Sequence, residues 1–252
     1  SHGLSRQCAR HYSKEGSIMF AQLMANPTIA EAISIIQSEF LMAIWETVYV
    51  TLVSTAFAVI IGLPLGVLLV VGTHDGVLPL PKSVLAVLNA VINLLRSIPF
   101  LILMILVIPF TRLIVGTVVG TTASIVPLVI ASAPFVARLA ESSLRELNPN
   151  IIETAQSMGA TPMQIIVKVM IPESIPSLMS NLTIAITTIL GYSAMSGIIG
   201  GGGLGKIAIN YGYYRYKYLV MLVAVFFLIV LVQIFQSVGT RISVKSDKRI
   251  RN

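Results

Sequence analysis

Residues 175–199 and 219–238 of this chain contain no Asp, Glu, Lys or Arg, and residues 41–72 contain only Glu46. Each run reaches the about 20 apolar residues needed to cross the hydrocarbon of a bilayer as a helix. Inside hydrocarbon the backbone must satisfy its own N–H and C=O groups, which a helix does within one segment. The chain therefore reads as an all-α, polytopic membrane protein whose core forms between helices in lipid. Composition agrees: 11% of the 252 residues are charged, against about 25% in a soluble domain.

About five transmembrane helices are expected. The first covers residues 41–72. Gly62-Leu63-Pro64-Leu65-Gly66 lies within it, a small-xxx-small pair suited to close helix contact, with a bend expected at Pro64. Residues 83–95 read as a lead-in helix joined through a break at Pro99 to a second span over 98–115. A third span, 123–144, is expected to be broken by Pro127 and Pro134. The fourth covers 175–199 and the fifth 219–238. Residues 1–18 are polar, lack the apolar core of a signal peptide, and are expected to be a non-native or disordered leader, with Met19 as the start. The transmembrane domain is then 19–242, followed by a basic tail, 243–252.

The net charge is +7, but the basic residues gather on no soluble domain, so nucleic acid is not an expected partner. They set topology instead. A cytoplasmic tail places Lys82, Arg138, Arg145, Lys168 and five tail residues inside, nine in all. Arg112, Lys206, Arg215 and Lys217, four, fall outside; the three basic residues of 1–18 would raise that to seven. The expected N-terminus is outside and the C-terminus cytoplasmic. The single cysteine, Cys8, excludes an intrachain disulfide and a cysteine metal cluster.

One polar island interrupts the apolar chain, at residues 148–172. Asn148 can cap a helix whose first position is Pro149. Gly159 suits the left-handed residue past its end. Thr161, with Pro162 after it and Gln164 three residues on, offers a capping box for a second helix. Ile151, Ala155 and Met158 are expected on one face of the first helix, with Glu153, Gln156 and Ser157 off it. A compact amphipathic helix between spans is shaped to be gripped from outside the membrane.

Two strings resemble catalytic motifs without their chemistry. Gly200 to Lys206 fits G-x-x-x-x-G-K, but Ile207 stands where the magnesium-binding Ser or Thr belongs. Gly191-Tyr192-Ser193-Ala194-Met195 falls one residue short of a serine nucleophile elbow, and no histidine is placed to serve Ser193 as base. There is no H-E-x-x-H and no intramembrane carboxylate pair. No catalytic or metal-binding residue is expected. Glu46, Asn89, Asn93, Arg96, Arg112, Asn181, Thr183, Thr187 and Thr188 are polar residues near or within spans. Such residues face the bundle interior or a water-filled path, or bond neighbouring helices. The ten methionines and Tyr211–Tyr218 read as packing and interfacial belt.

Glu153-Thr154-Ala155, Gly159 and Val169-Met170-Ile171-Pro172 resemble the EAA signature of ABC importer permeases, E-A-A-x3-G-x9-I-x-L-P. Thr154, Val169 and Ile171 depart from it conservatively. The resemblance implies a type I importer permease whose cytoplasmic coupling helix docks on an ATPase subunit through Glu153, Thr154, Ala155, Ser157, Met158, Gly159, Ala160 and Pro172. A second set of strings is similar to the permeases of methionine-uptake transporters: Trp45-Glu46-Thr47, Arg96-Ser97-Ile98-Pro99-Phe100, Ile108-Pro109-Phe110-Thr111-Arg112, Met158 to Ile165, Gly191 to Met195, Gly202-Gly203-Leu204-Gly205 and Tyr211-Gly212-Tyr213. In this class the glycine turn after the fourth span lies near the external gate. Arg96, Ser97, Tyr192, Ser193 and Met195 are the corresponding path or gate candidates. The implied assembly in the bacterial inner membrane is two copies of this chain, two ATPase subunits and an external methionine-binding lipoprotein. ATP and Mg would be bound by the ATPase alone, leaving this chain without a cofactor. A permease for another small amino acid or osmolyte is the alternative within the class. A stand-alone channel or secondary transporter is the alternative outside it, but the chain shows neither internal repeats nor coupling acids.

Overall fold

The computed structural model describes residues 27–74 and 76–246. The 1–18 leader, Cys8 and the last six residues of the basic tail lie outside them.

The described residues form helices and their connections, without strands. Helix α1, Pro27–Val71, runs unbroken over 45 residues, about 67 Å at 1.5 Å per residue. It is much longer than the apolar thickness of a bilayer, about 30 Å. Three shorter helices follow: α2, Lys82–Ser97; α3, Phe100–Leu106; and α4, Ile108–Val115. Then come α5, Ile125–Arg145; α6, Pro149–Ser157; and α7, Pro162–Ile165. A π-turn at Ile166–Met170 joins α7 to α8, Ile171–Ser196. Helix α9, Gly203–Ile207, a π-helical segment Ala208–Tyr213, and α10, Tyr218–Ser246, complete the described chain.

Among the described residues, four helical stretches are long and apolar enough to cross a membrane: Ala30–Val71, Ile125–Arg145, Pro162–Ile199 and Tyr218–Ser246. A fifth crossing can come only from α2 and α3, which meet at a bend of 108°. The break at Pro99 is the expected one; what is corrected is the span 98–115, which is not one continuous helix. Pro99 forces Ile98 into an extended conformation, φ −80° and ψ 126°, and that ends α2. The stretch breaks again at Val107, where Pro109 opens α4. The third span is corrected in the opposite sense, because α5 is not broken at either proline. Pro127 occupies the first turn, where a missing N–H costs nothing, and Pro134 is carried inside the helix.

The helix directions follow from who touches whom. Gly62 of α1 lies against Ala133 and Val136 of α5, and Gly66 against Ala137 and Ala140, so α1 and α5 run parallel. A Cβ added at Gly62 would come within 2.7 Å of the Ala133 carbonyl, and one at Gly66 within 2.5 Å of the Ala137 carbonyl. Only glycine permits this spacing. Helix α8 runs against α5: Ser177 bonds Glu146, and Asn181 bonds the Leu139 carbonyl and Ser143. Helix α10 runs against α8, with Ser243 beside Pro176 and Gly239 beside Thr183. The start of α10 packs on the start of α1 through Ala32, Ile35, Phe40, Val220 and Ala224. Parallel α1 and α5 require α2–α4 to carry the chain back to the end where α1 began. One end of the bundle therefore holds the starts of α1, α5 and α10 and the glycine turn 200–205. The opposite end holds α6 and the close of α10.

Candidate functional site

At that second end, local signals build the polar island as expected. Asn148 is extended and its side chain accepts the Asn150 N–H at 3.0 Å. Past the end of α6, Gly159 takes φ +76°. Its N–H donates to the Gln156 carbonyl at 2.9 Å, and Ala160 N–H donates to the Ala155 carbonyl at 3.1 Å. These two bonds make a Schellman turn, which only a residue tolerant of positive φ can close cheaply. Thr161 and Gln164 then form the capping box: Thr161 N–H donates to Gln164 Oε1 at 2.9 Å, and Gln164 N–H to Thr161 Oγ1 at 3.4 Å. Two rigid caps separated by one left-handed residue fix the angle between α6 and α7.

The segment is anchored from one side. Ile152, Ala155, Ala160 and Ile171 pack on Val71, Leu144, Leu147, Ile165, Ile166 and Met170. Its other side is open. Glu153, Thr154, Ser157, Met158, Gly159 and Pro172 are exposed, and Ala160 is half-buried. One expectation fails here. Met158 does not join the buried stripe; it caps α6, and the turn throws it outward, 82% exposed, while Met163 of α7 is 67% exposed. Ile152 takes its place. Thr154 and Ser157 turn their hydroxyls onto the Asn150 and Glu153 carbonyls. The surface on offer is therefore an acid, Glu153, and two exposed methionines. Beside it a cavity of about 420 Å³ is lined by Glu146, Glu173, Ser177, Asn181 and Ser243 among others.

The path candidates are only partly brought together. Phe100 stacks on Tyr192 with centroids 4.5 Å apart and planes 7° from parallel, joining the Pro99 break to α8. Arg96 and Ser97 are exposed at the close of α2, with the Ser97 hydroxyl donating to the Asn93 carbonyl. Ser193 is buried and donates to the Leu190 carbonyl at 2.8 Å, so its hydroxyl serves the helix backbone. Met195 is exposed.

Of the other polar residues near or within spans, Asn89, Asn93 and Asn181 bond neighbouring helices. Thr183, Thr187 and Thr188 donate to carbonyls one turn back. Arg138 is the hub that sequence reading missed: it reaches Glu141 at 2.6 Å, Asn89 at 2.9 Å and Asn93 at 2.8 Å, clamping α2 to α5. Arg145 completes the cluster on Glu141. The only signal in the sequence was two asparagines four residues apart, a single helix face. At the glycine turn, Gly203 N–H donates to Glu46 Oε2 at 2.7 Å and Leu204 N–H to Thr47 Oγ1 at 2.9 Å. The amides that a P-loop would turn to phosphate are thus spent on protein groups. Beside the turn, the Glu39 carboxylate that accepts the Tyr211 hydroxyl raises the pKa of that hydroxyl above its ordinary value. Among the described residues no three His, Cys, Asp or Glu side chains gather as metal ligands.

A bundle of apolar helices with a rigid polar helix–turn–helix protruding at one end defines an importer's membrane component. Residues 62–251 match the family described as binding-protein-dependent transport system inner membrane component, and the chain belongs to that family. Within it, the chain is 48% identical over 229 residues to the probable D-methionine transport system permease protein MetI of Vibrio cholerae, covering 90% of this chain and 100% of the relative. It is 44% identical to the corresponding protein of Pasteurella multocida, over 81% and 94%. The fold superposes with a TM-score of 0.81, at 44% identity, on a chain of the inward-facing MetNI methionine ABC transporter, covering 82% and 96%. The expected fold class, a polytopic helical bundle of the type I importer permease kind, stands.

Proposed function

We propose that this chain is the permease subunit of an ATP-driven methionine importer, and that residues 148–172 couple it to a cytoplasmic ATPase. The observation that carries the coupling role is the segment itself: two complete helix caps around Gly159, anchored on Leu144, Ile165 and Met170, holding Glu153 and Met158 outward. Glu153, Thr154, Ala155, Ser157, Met158, Gly159, Ala160 and Pro172 form or orient the docking surface. A load-transmitting element must be rigid at its joint, and the caps supply that rigidity. Residues 19–242 act as one transmembrane domain with this segment inside it. The end bearing α6 and the tail 243–252 is cytoplasmic, and the start of α1 lies outside.

Two copies of this chain would enclose the path, with Arg96, Ser97, Tyr192, Ser193 and Met195 as candidates for its lining or gate. Two ATPase subunits would supply all nucleotide chemistry, with ATP and Mg bound there, and an external binding lipoprotein would deliver methionine. The methionine assignment follows the relatives' names and the strings from Trp45 to Tyr213. Reconstitution tests it. Vesicles holding this chain, its ATPase and its binding protein should take up labelled methionine only when ATP is enclosed with the ATPase. Robust uptake by this chain alone would make it a channel or secondary transporter. ATP-driven uptake of another amino acid in preference to methionine would move it to a different branch.

A further inference from the structure

Glu46 sits on the longest helix, and neither the coupling segment nor the path candidates use it. Its two oxygens are divided between segments distant in sequence. Oε1 accepts the Thr121 hydroxyl at 2.9 Å, and Oε2 accepts the Gly203 N–H at 2.7 Å. The next residue, Thr47, accepts the Leu204 N–H at 2.9 Å and donates its own proton to the Ala43 carbonyl at 2.8 Å. A backbone bond, Gly120 N–H to the Gly200 carbonyl at 2.9 Å, ties the two captured segments to each other. One turn of α1 thus holds both the turn leading into α5 and the glycine turn that follows α8.

The fit has no slack. A Cβ on Gly202 would run into Thr121 and Glu46, and one on Gly203, at φ +81°, would meet Thr47 Oγ1 at 2.5 Å. Beneath the turn, Ser196 is 1% exposed, covered by Gly201, whose N–H donates to the Ser196 carbonyl at 2.9 Å. A carboxylate accepting two donors at once is the strongest tie in this group, since charge-assisted bonds are about twice as strong as neutral ones.

We propose that Glu46 is the positioning residue of the extracytoplasmic gate: its carboxylate pins the 200–205 turn and Thr121 to α1 in the closed arrangement, and the turn parts from α1 when that contact is released. The inference rests on the importer reading, which makes this end of the bundle the outer one. Within that reading it gives the Trp45-Glu46-Thr47 string a mechanical task.

The test uses a reporter under the turn, Ser196→Cys, with Cys8→Ser, in the full chain purified with its ATPase. The rate of maleimide labelling of the reporter is measured with Glu46 intact, with Glu46→Ala and with Glu46→Gln. Alanine removes both acceptors, and labelling is expected to quicken by about tenfold or more, the shift in an opening equilibrium that follows from losing a charge-assisted bond. Glutamine can still accept from Gly203 N–H and donate to Thr121 Oγ1, so its rate should stay within about threefold of the parent. Equal rates for all three overturn the proposal, as does glutamine labelling as fast as alanine. Should Glu46→Ala fail to accumulate, Thr121→Val removes one of the two Glu46 ties at near-constant shape: quickened labelling supports the latch, and a parental rate overturns it. Labelling needs no transport. A complex that labels as expected but shows no ATP-driven uptake would therefore sink the importer reading and leave the Glu46 contact standing.

Discussion

At Gly159 the chemistry of one residue decides the geometry of two helices. Nothing lies within 4 Å of a Cβ added there, so a side chain meets no steric obstacle. The cost comes from φ +76° alone, about 1 kcal/mol for an ordinary residue and more for a β-branched one. Gly159→Val should therefore spare membrane insertion, loosen the Schellman turn and tilt α6 relative to α7. Glu153 is exposed, and its carboxylate is bonded to nothing among the described residues. Glu153→Lys should leave the fold intact and reverse the charge offered to the ATPase. Both variants should reach the membrane in parental amount and lose most ATP-driven methionine uptake. Parental uptake by both would remove the coupling role from this segment. The caps were legible in the sequence because capping is local: Asn148, Gly159, Thr161 and Gln164 each act within five residues. Met158 was misjudged because helical periodicity was carried one residue past the point where α6 stops.

The elements were legible where their signals were apolar and continuous. Long uncharged runs mark α1, α8 and α10, and Gly62-x3-Gly66 marks the closest helix seam. Prolines were the weak point, since the same residue ends a helix at Pro99 and rides inside one at Pro134. Which happens depends on neighbours that can cover the freed carbonyl, and that is tertiary information. The Arg138 cluster was hidden for the same reason: Asn89 and Asn93 precede it by more than forty residues. The seam supports a prediction at this scale. Gly62→Leu must push α1 off the Ala133 carbonyl and Val136, an overpacking worth about 1–3 kcal/mol. Its membrane abundance and its midpoint of thermal unfolding in detergent should both fall. An exposed control on the same helix, Ile60→Ala, 66% exposed, should change neither. A Gly62→Leu protein as stable as the parent would mean that α1 and α5 do not touch at this seam.

For the whole molecule the binding question is which end faces the cytoplasm. Among the described residues the contacts place the start of α1 and the close of α10 at opposite ends: α1 and α5 are parallel, α8 opposes α5, and α10 opposes α8. The proposed orientation, with the α6 end cytoplasmic, rests on charge, because Lys and Arg favour that side. Lys168, Arg241 and Lys245 lie at the α6 end, whereas Lys206, Arg215 and Lys217 lie at the glycine-turn end. Nearby acids leave the second group less free than its number suggests: Lys217 pairs with Glu31, and Arg215 lies over the Tyr211 ring, 4.8 Å from its centroid. Acids stand at both ends, Glu31 and Glu39 at one and Glu146, Glu153 and Glu173 at the other, so the bias rests on the number of Lys and Arg, with Lys248, Arg249 and Arg251 of the tail adding to the α6 side. Single cysteines test the result in a Cys8→Ser background. Lys206 is exposed at one end and Ser246 closes α10 at the other. Intact cells treated with an impermeant thiol reagent should label Lys206→Cys at once and Ser246→Cys only after the membrane is opened. The opposite pattern would place α6 outside, beyond reach of any ATPase. Labelling of both sites in intact cells would mean that α10, the long helix between them, does not cross the membrane.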